Sequence, residues 1–244
     1  GGKQLFLAAN AQLRDQTCDN YPAPKHILSC VYEGLQTDID TGLAIERRYF
    51  ANLVTGPVAK NMIRSLFFFM QEANKLARRP KDVPTQKFTR IGLLGAGMMG
   101  AGIAHAAARA GLEAVLLDVT REAAERGKAY SAQLLDKRVA KSQLTQDGAA
   151  ATLARIRPTA DYADLAGCEL VIEAVFEERA VKAEVTRKAE AVIGAEAIFA
   201  SNTSTLPISG LAGASSRPAH FIGLHFFSPA EKMPLVEVIL GKQT

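Results

Sequence analysis

The 244-residue sequence lacks three features that would assign it to common classes of protein. Its longest apolar cluster, Leu66 to Met70, is far shorter than the roughly 20 residues of a membrane-spanning helix. Its three cysteines, Cys18, Cys30 and Cys168, are widely spaced and odd in number, which fits neither a disulfide framework nor a zinc site. A dense stripe of lysine and arginine with interleaved aromatics is also missing, so a net charge of +4 does not indicate nucleic-acid binding. We therefore expect a protein of a reducing compartment, without a bound metal.

Two segments of different character follow one another along the chain. Residues 78–85 hold two prolines and four charged residues and predict a linker. Before the linker, apolar residues recur at helical spacing. After it, short apolar runs alternate with helical runs, which indicates βαβ units around a mostly parallel sheet. We expect an α-helical segment over residues 1–84 and an α/β domain over residues 85–244.

A glycine-rich turn separates the first apolar strand of the α/β domain from the helix that follows. It reads Gly95-Ala96-Gly97-Met98-Met99-Gly100. Gly95 would allow the tight bend, Gly97 would let the backbone approach a pyrophosphate, and Gly100 would let the helix pack close to the strand. The helix N-terminus would supply amide donors and a favourable dipole for phosphate. The turn predicts a dinucleotide site in a Rossmann-type domain, the alternative being a glycine turn of purely structural use.

An acidic residue ends the second apolar strand of this domain. Asp118 lies 23 residues after Gly95, close to the spacing of about 20 seen in dinucleotide-binding domains. A carboxylate at this point can accept hydrogen bonds from both ribose hydroxyls of an adenosine, and it would repel a 2′-phosphate. The expected cofactor is therefore NAD and not NADP.

Two strand-like runs, 221–227 and 235–240, close the sequence and should form an antiparallel hairpin because the segment between them is too short for a helix. His225 and Glu237 are 12 residues apart, and their midpoint, Glu231, falls in the predicted turn. In such a hairpin the two side chains face each other on one side of the sheet. The carboxylate would fix the imidazole tautomer and raise its basicity, as a general base requires. A histidine paired for structural reasons alone fits the same spacing.

A polar segment, Ser201 to Thr205, follows the strand predicted over Ala197 to Ala200. Ligands of α/β sheets bind beyond the carboxyl ends of the strands, so these hydroxyl groups are candidates for a binding site. Capping of a following helix by Ser204 or Thr205 is the alternative role.

Four segments, taken in this order, resemble the L-3-hydroxyacyl-CoA dehydrogenase family: GLLGAGMMGAGIA, VIEAVFEERAVK, FASNTSTLPI and GLHFFSPAEKMPLVEV. The resemblance spans about Phe88 to Thr244 and is greatest to the form inside multifunctional fatty acid β-oxidation enzymes, where this domain follows an enoyl-CoA hydratase (crotonase) domain. Residues 1–84 resemble the helical C-terminal end of that hydratase domain and its linker helix. The resemblance implies a truncated fragment of such an enzyme, with a cytoplasmic location and with peroxisomal or mitochondrial ones as alternatives.

The resemblance also implies an activity, the NAD-dependent oxidation of L-3-hydroxyacyl-CoA to 3-ketoacyl-CoA, and a thiolase subunit as partner of the full-length complex. It makes His225 the catalytic base, Glu237 its orienting partner, and Ser204 the residue that holds the substrate hydroxyl or the nicotinamide end of the cofactor. Besides the three glycines of the turn, the cofactor contacts that it implies are Met99, Asp118, Val175, Glu177, Lys182 and Ser228. Ser228 stands where single-function members usually have Asn. Two other functions fit the sequence: a non-catalytic dinucleotide-binding module, and a different Rossmann dehydrogenase of small hydroxy acids.

Overall fold

The computed structural model describes residues 2–244; Gly1, the first residue of the predicted helical segment, and the Lys3 side chain lie outside the described residues. The chain separates into two compact units, Gly1–Pro84 and Thr85–Thr244. Across residues 2–244, no helix combines the length and the apolar character that crossing a membrane requires.

Helices make up the first unit. They are α1 (Gly2–Thr17), α2 (Pro22–Gly34), α3 (Ile39–Thr55), α4 (Pro57–Met62) and α5 (Met70–Asn74), with a π-helical stretch over Ile63–Phe69 that joins α4 to α5. Both α2 and α4 begin at a proline, since the first helical turn leaves the N–H that proline lacks without an intrahelical partner. Asp38 caps α3 by accepting the Thr41 N–H at 2.9 Å. A proline or a polar capping residue thus marks the start of α2, α3 and α4.

A seven-stranded sheet forms the second unit. Its strands are β1 (Arg90–Leu94), β2 (Glu113–Leu117), β3 (Ile156–Thr159), β4 (Leu170–Glu173), β5 (Ile198–Ser201), β6 (Phe221–Phe226) and β7 (Val236–Ile239). Its helices are α6 (Met98–Arg109), α7 (Arg121–Ala140), α8 (Gln146–Ala154), α9 (Arg179–Glu190) and α10 (Ile208–Leu211). The strand order is β3-β2-β1-β4-β5-β6-β7, parallel except for the antiparallel pair β6–β7. The predicted fold class, a mostly parallel sheet with a terminal antiparallel hairpin, preceded along the chain by a helical segment, is confirmed.

Strand order reverses at β1, which has β2 on one side and β4 on the other. In sheets of this kind the reversal opens a crevice beyond the carboxyl ends of the strands, and ligands bind there. The glycine turn directly follows β1, so the fold places it at the reversal. Because β6 runs parallel to β5, the carboxyl end of β6 lies on the same side of the sheet as the glycine turn, beyond the carboxyl ends of the strands.

Neither α8 nor β3 follows from the apolar pattern of the sequence. β3 is a four-residue strand at the edge of the sheet and contains an exposed Arg157 and a proline, Pro158. An edge strand tolerates a proline, and it needs no continuous apolar run. The sequence signal of β3 is therefore weak.

Two apolar clusters, one on each face of the sheet, form the core of this unit. Alternate residues of β1 divide between them: Leu94 packs into one cluster and Leu93 into the other. In the first cluster Phe199 and Phe221 are each 1% exposed, and their rings stack with centroids 5.5 Å apart. The two rings belong to the adjacent parallel strands β5 and β6. The stack therefore packs β5, which leads into the polar segment, against β6, which carries His225.

Phe199→Ala should destabilise the α/β unit by about 3–5 kcal/mol, because it removes a buried ring and leaves a cavity against Phe221. Urea unfolding followed by circular dichroism measures the loss. Phe176→Ala is the matched control, since Phe176 is 85% exposed and its loss should change stability by less than about 0.5 kcal/mol. Equal effects of the two substitutions would contradict the packing described here.

Candidate active site

The glycine turn is in backbone contact with the strand end beside it. Gly95 has a φ of +94°, a conformation that favours glycine, and a Cβ on it would lie 2.8 Å from the Ala174 carbonyl oxygen. A Cβ on Gly100 would overlap the Gly95 carbonyl oxygen, so α6 starts directly against the turn. At Gly97, by contrast, no heavy atom of residues 2–244 beyond its chain neighbours lies within 4 Å of the Cβ position. The open space at Gly97 fronts the N-terminus of α6, where an anion is favoured.

Asp118 ties the turn to the end of β2. Its Oδ2 accepts the Ala96 N–H at 2.7 Å, and its Oδ1 accepts the Val119 N–H at 2.7 Å. Each carboxylate oxygen has a second lone pair, so the group can still accept hydrogen bonds from a ligand. The side chain is half-buried, and the next residue, Val119, is 91% exposed. The carboxylate therefore holds the turn and keeps the capacity to accept further hydrogen bonds.

A buried lysine of α9 lies between two glutamates, one at the end of β4 and one in the segment between β4 and α9. Lys182 is 2% exposed, and its Nζ lies 2.9 and 3.0 Å from the two oxygens of Glu173 and 3.1 Å from Oε2 of Glu177. Glu173, 1% exposed, also accepts the Ser201 hydroxyl. Burial raises the pKa of Glu173 above its ordinary value, and the Lys182 ammonium offsets this only in part. Lys182 thus lies beneath the surface, and Glu177 is the exposed end of this Lys182 network.

Glu177 organises the turn after β5. Its Oε1 accepts the Thr203 hydroxyl, the Ser204 N–H at 3.2 Å and the Thr205 hydroxyl at 3.3 Å. Burial acts to raise the pKa of Glu177, but the hydrogen bond from Thr203 and the Lys182 ammonium outweigh it and lower the pKa to about 2. The carboxylate is therefore ionised at neutral pH, and it holds the exposed Ser204 side chain at the tip of the turn.

The hairpin sets His225 directly opposite Glu237, which is the pairing expected from their spacing. His225 Nδ1 lies 2.7 Å from Glu237 Oε2, and the two side chains are 19% and 53% exposed. An ionised carboxylate can only accept, so Nδ1 carries the proton and the Nε2 of the neutral ring keeps its lone pair. The Phe227 ring, 4.8 Å away between centroids, packs beside the imidazole. This geometry provides a base with a fixed tautomer.

The other predicted cofactor contacts surround the turn at different depths. Ser228 is exposed, and its hydroxyl donates to Met98 Sδ at 3.9 Å, which links the hairpin turn to the start of α6. The Met99 and Val175 side chains are half-buried and pack against the two core clusters. Within the described part of the chain, no group of three or more His, Cys, Asp or Glu side chains could hold a metal ion.

Sequence reasoning assigned no role to two residues that take part in this arrangement, Glu173 and Asn202. A charged residue inside the apolar run of β4 was the available signal for Glu173. Asn202 accepts the Phe226 N–H through its Oδ1 at 2.8 Å. This contact depends on where β5 and β6 separate, which the sequence does not reveal.

Glu177→Gln should lower stability in a pH-dependent way. Because the folded-state pKa of about 2 lies below the ordinary value of 4.5, the stabilisation by the carboxylate is present above pH 4.5 and is lost as the pH falls through about 2. Urea midpoints of the wild type and the variant should differ most from pH 7 to 5 and should converge progressively as the pH falls from 4.5 to about 2. Glu184→Gln, at an exposed pair with Lys188, should change little at any pH. A difference that widens on acidification would contradict the network.

Comparison with known proteins identifies related dehydrogenases. The family model described as 3-hydroxyacyl-CoA dehydrogenase, NAD binding domain, matches residues 90–244. The chain is 39% identical over 241 residues to the fatty acid oxidation complex subunit alpha of Shewanella frigidimarina, a match that covers 98% of this chain and 34% of that protein. The chain thus spans about a third of the length of the curated relatives it matches.

Solved structures share the α/β unit. The (S)-3-hydroxybutyryl-CoA dehydrogenase of Ralstonia eutropha is similar with a TM-score of 0.63 and 41% identity, over 65% of this chain and 56% of that one. The 3-hydroxybutyryl-CoA dehydrogenase of Escherichia coli is similar with a TM-score of 0.63 and 36% identity, over 65% and 34% of the two chains. The chain belongs to the 3-hydroxyacyl-CoA dehydrogenase family, and residues 90–244 are the NAD-binding domain of that family.

Proposed function

We propose that this chain carries the site for NAD-dependent oxidation of L-3-hydroxyacyl-CoA to 3-ketoacyl-CoA. The observation that carries the proposal is the His225–Glu237 pair, 2.7 Å apart, at the same edge of the sheet as the glycine turn. A base with a fixed tautomer beside a dinucleotide site is what removal of a hydroxyl proton together with a hydride requires. Membership of the dehydrogenase family supports the thioester as substrate.

The residues at the sheet edge fit NAD. The open space at Gly97 can admit a pyrophosphate to the α6 amides, and the Asp118 carboxylate can accept both ribose hydroxyls. When bound, NAD⁺ supplies the acceptor for a hydride from C3 of the substrate. The side chains and backbone groups that we propose to hold it are those of Gly95, Gly97, Met99, Gly100, Asp118, Val175, Glu177, Ser204 and Ser228. Lys182, expected from the resemblance to contact the cofactor, is 2% exposed, so we propose that it acts through Glu177 and does not touch NAD.

The proton of the substrate hydroxyl goes to His225. Nε2 takes it as the C3–H bonding pair leaves and the C3–O double bond forms, so the hydroxyl becomes a ketone and the imidazole becomes imidazolium. The Glu237 carboxylate, hydrogen-bonded to Nδ1, stabilises the positive charge that the ring gains. Ser204 can donate its hydroxyl to the substrate oxygen from the turn that Glu177 holds. His225, Glu237 and Ser204 are the catalytic set that we propose.

We also propose that the helical unit corresponds to the end of a crotonase domain and that the whole belongs to a multifunctional β-oxidation enzyme. The match to the alpha subunit supports this, because it covers 98% of the chain and so includes the helices. A thiolase partner and a cytoplasmic location, both implied by the resemblance, stay predictions.

His225→Gln should lower turnover about 10²–10⁴-fold while leaving NADH binding unchanged, because the glutamine fills the site without acting as a base. Absorbance of NADH with acetoacetyl-CoA measures turnover, and NADH fluorescence measures binding. His220→Gln is the control histidine and should keep its activity.

Three outcomes would contradict this proposal in different ways. Near-normal turnover of His225→Gln would remove His225 from the mechanism. Reduction of free acetoacetate as fast as the thioester would favour a small hydroxy-acid dehydrogenase. Binding of NADH without turnover by the wild type would favour a non-catalytic binding module.

Asp118→Asn should weaken NADH binding about tenfold or more, since the hydrogen bonds from the ribose would lose their charged acceptor. Affinity for NADPH should fall less, because the repulsion of its 2′-phosphate is also lost. Fluorescence titration with both dinucleotides measures the two effects. Glu122→Gln, which neutralises an exposed acid in the first turn of α7, should leave both affinities unchanged. An unchanged NADH affinity of Asp118→Asn would exclude this carboxylate from the cofactor site.

A further inference from the structure

Asn202 lies at the point where β5 and β6 separate. The last parallel pair between these strands is Ser201 with Gly223, whereas β6 continues to Phe226 alongside β7. Asn202 Oδ1 accepts the Phe226 N–H at 2.8 Å. The side chain of Asn202 therefore takes the place of the backbone carbonyl that a longer β5 would offer to β6.

The residues on either side of Asn202 donate to β4 and to the segment that follows it. Ser201 donates its hydroxyl to Glu173 and Thr203 donates its hydroxyl to Glu177, and both acceptors belong to the Lys182 network. Between them, the Asn202 side chain reaches the other way, to the Phe226 N–H of β6. Residues 201–203 thus connect the network that holds Ser204 to the strand that carries His225.

We propose that Asn202 is a positioning residue that sets the separation between the His225 base and Ser204. Phe226 directly follows His225, so holding its N–H fixes the peptide plane next to the Cα of the base. Glu237 orients the imidazole, but it lies on the outermost strand β7 and is 53% exposed. It therefore does not fix the position of His225 relative to the Ser204 turn. This inference rests on the dehydrogenase function proposed above.

Asn202 should affect turnover and not cofactor binding, because its contact lies on the side of the base. Without the acceptor, the carboxyl end of β6 loses a partner for a backbone donor and shifts. A misplacement of about 1 Å at reacting groups can cost up to about 100-fold in rate. The glycine turn and Asp118 are not in contact with this hydrogen bond, and Ser204 and Ser228 keep their own contacts with Glu177 and Met98, so the affinity for NAD should be retained.

The test uses three variants in the NAD⁺-dependent oxidation of 3-hydroxybutyryl-CoA. Asn202→Leu keeps the side-chain size but lacks the acceptor, and we expect kcat to fall about 10- to 100-fold with an unchanged KM for NAD⁺. Asn202→Asp keeps the acceptor, so kcat at high pH should recover while its charge moves the pH profile upward. Ser209→Ala removes a similar bond, from the Lys242 N–H to a side-chain oxygen at 3.0 Å, and should change neither parameter.

Wild-type kcat of Asn202→Leu would overturn the inference. So would a joint loss of kcat and of NAD⁺ affinity, which indicates general loosening, or a loss that Asn202→Asp fails to recover. If the wild type itself shows no oxidation, the proposed function fails, and NMR decides the role of Asn202 separately. In that case Asn202→Leu must abolish the hydrogen-exchange protection of the Phe226 amide and shift the ring resonances of His225, whereas unchanged spectra would refute it.

Discussion

Backbone contact between the glycine turn and the neighbouring strand ends is the constraint on which the candidate site depends. The Gly95 N–H donates to the Leu117 carbonyl and the Ala174 N–H donates to the Leu94 carbonyl, both at 2.8 Å. The ends of β1, β2 and β4 therefore converge at one turn, which has no room for a side chain at Gly95. Because the contact is made by backbone atoms, the space for a dinucleotide and the direction of α6 are set by the fold itself.

The charged residues of the Lys182 network are partly buried and partly exposed to solvent. Lys182 and Glu173 are withdrawn from solvent, an arrangement that costs desolvation and is tolerated because the pair is multiply hydrogen-bonded. Glu177 extends the pair to the surface, where it remains ionised and organises the Ser204 turn. Burial thus supplies a rigid support, while the groups assigned to chemistry, Ser204 and His225, keep their access to a ligand.

The sequence predicts this structure wherever a short-range rule decides the outcome. Strand period two places His225 opposite Glu237 once the turn is centred on Glu231, and the glycine spacing locates the dinucleotide turn. The rules fail where tertiary context decides. β3 is short and at an edge, Lys182 is buried although lysine is usually a surface residue, and the partner of Asn202 depends on where two strands part. Their surroundings, and not their own residue types, determine these three features.

A crystal structure of the chain with bound NAD⁺ tests the central claim most directly. The pyrophosphate should lie against the backbone at Gly97, the adenosine ribose on Asp118, and C4 of the nicotinamide on the side of Ser204 that faces His225 Nε2. A dinucleotide bound away from the glycine turn, or a nicotinamide ring turned to the face opposite His225, would contradict the assignment of this sheet edge as a dehydrogenase site.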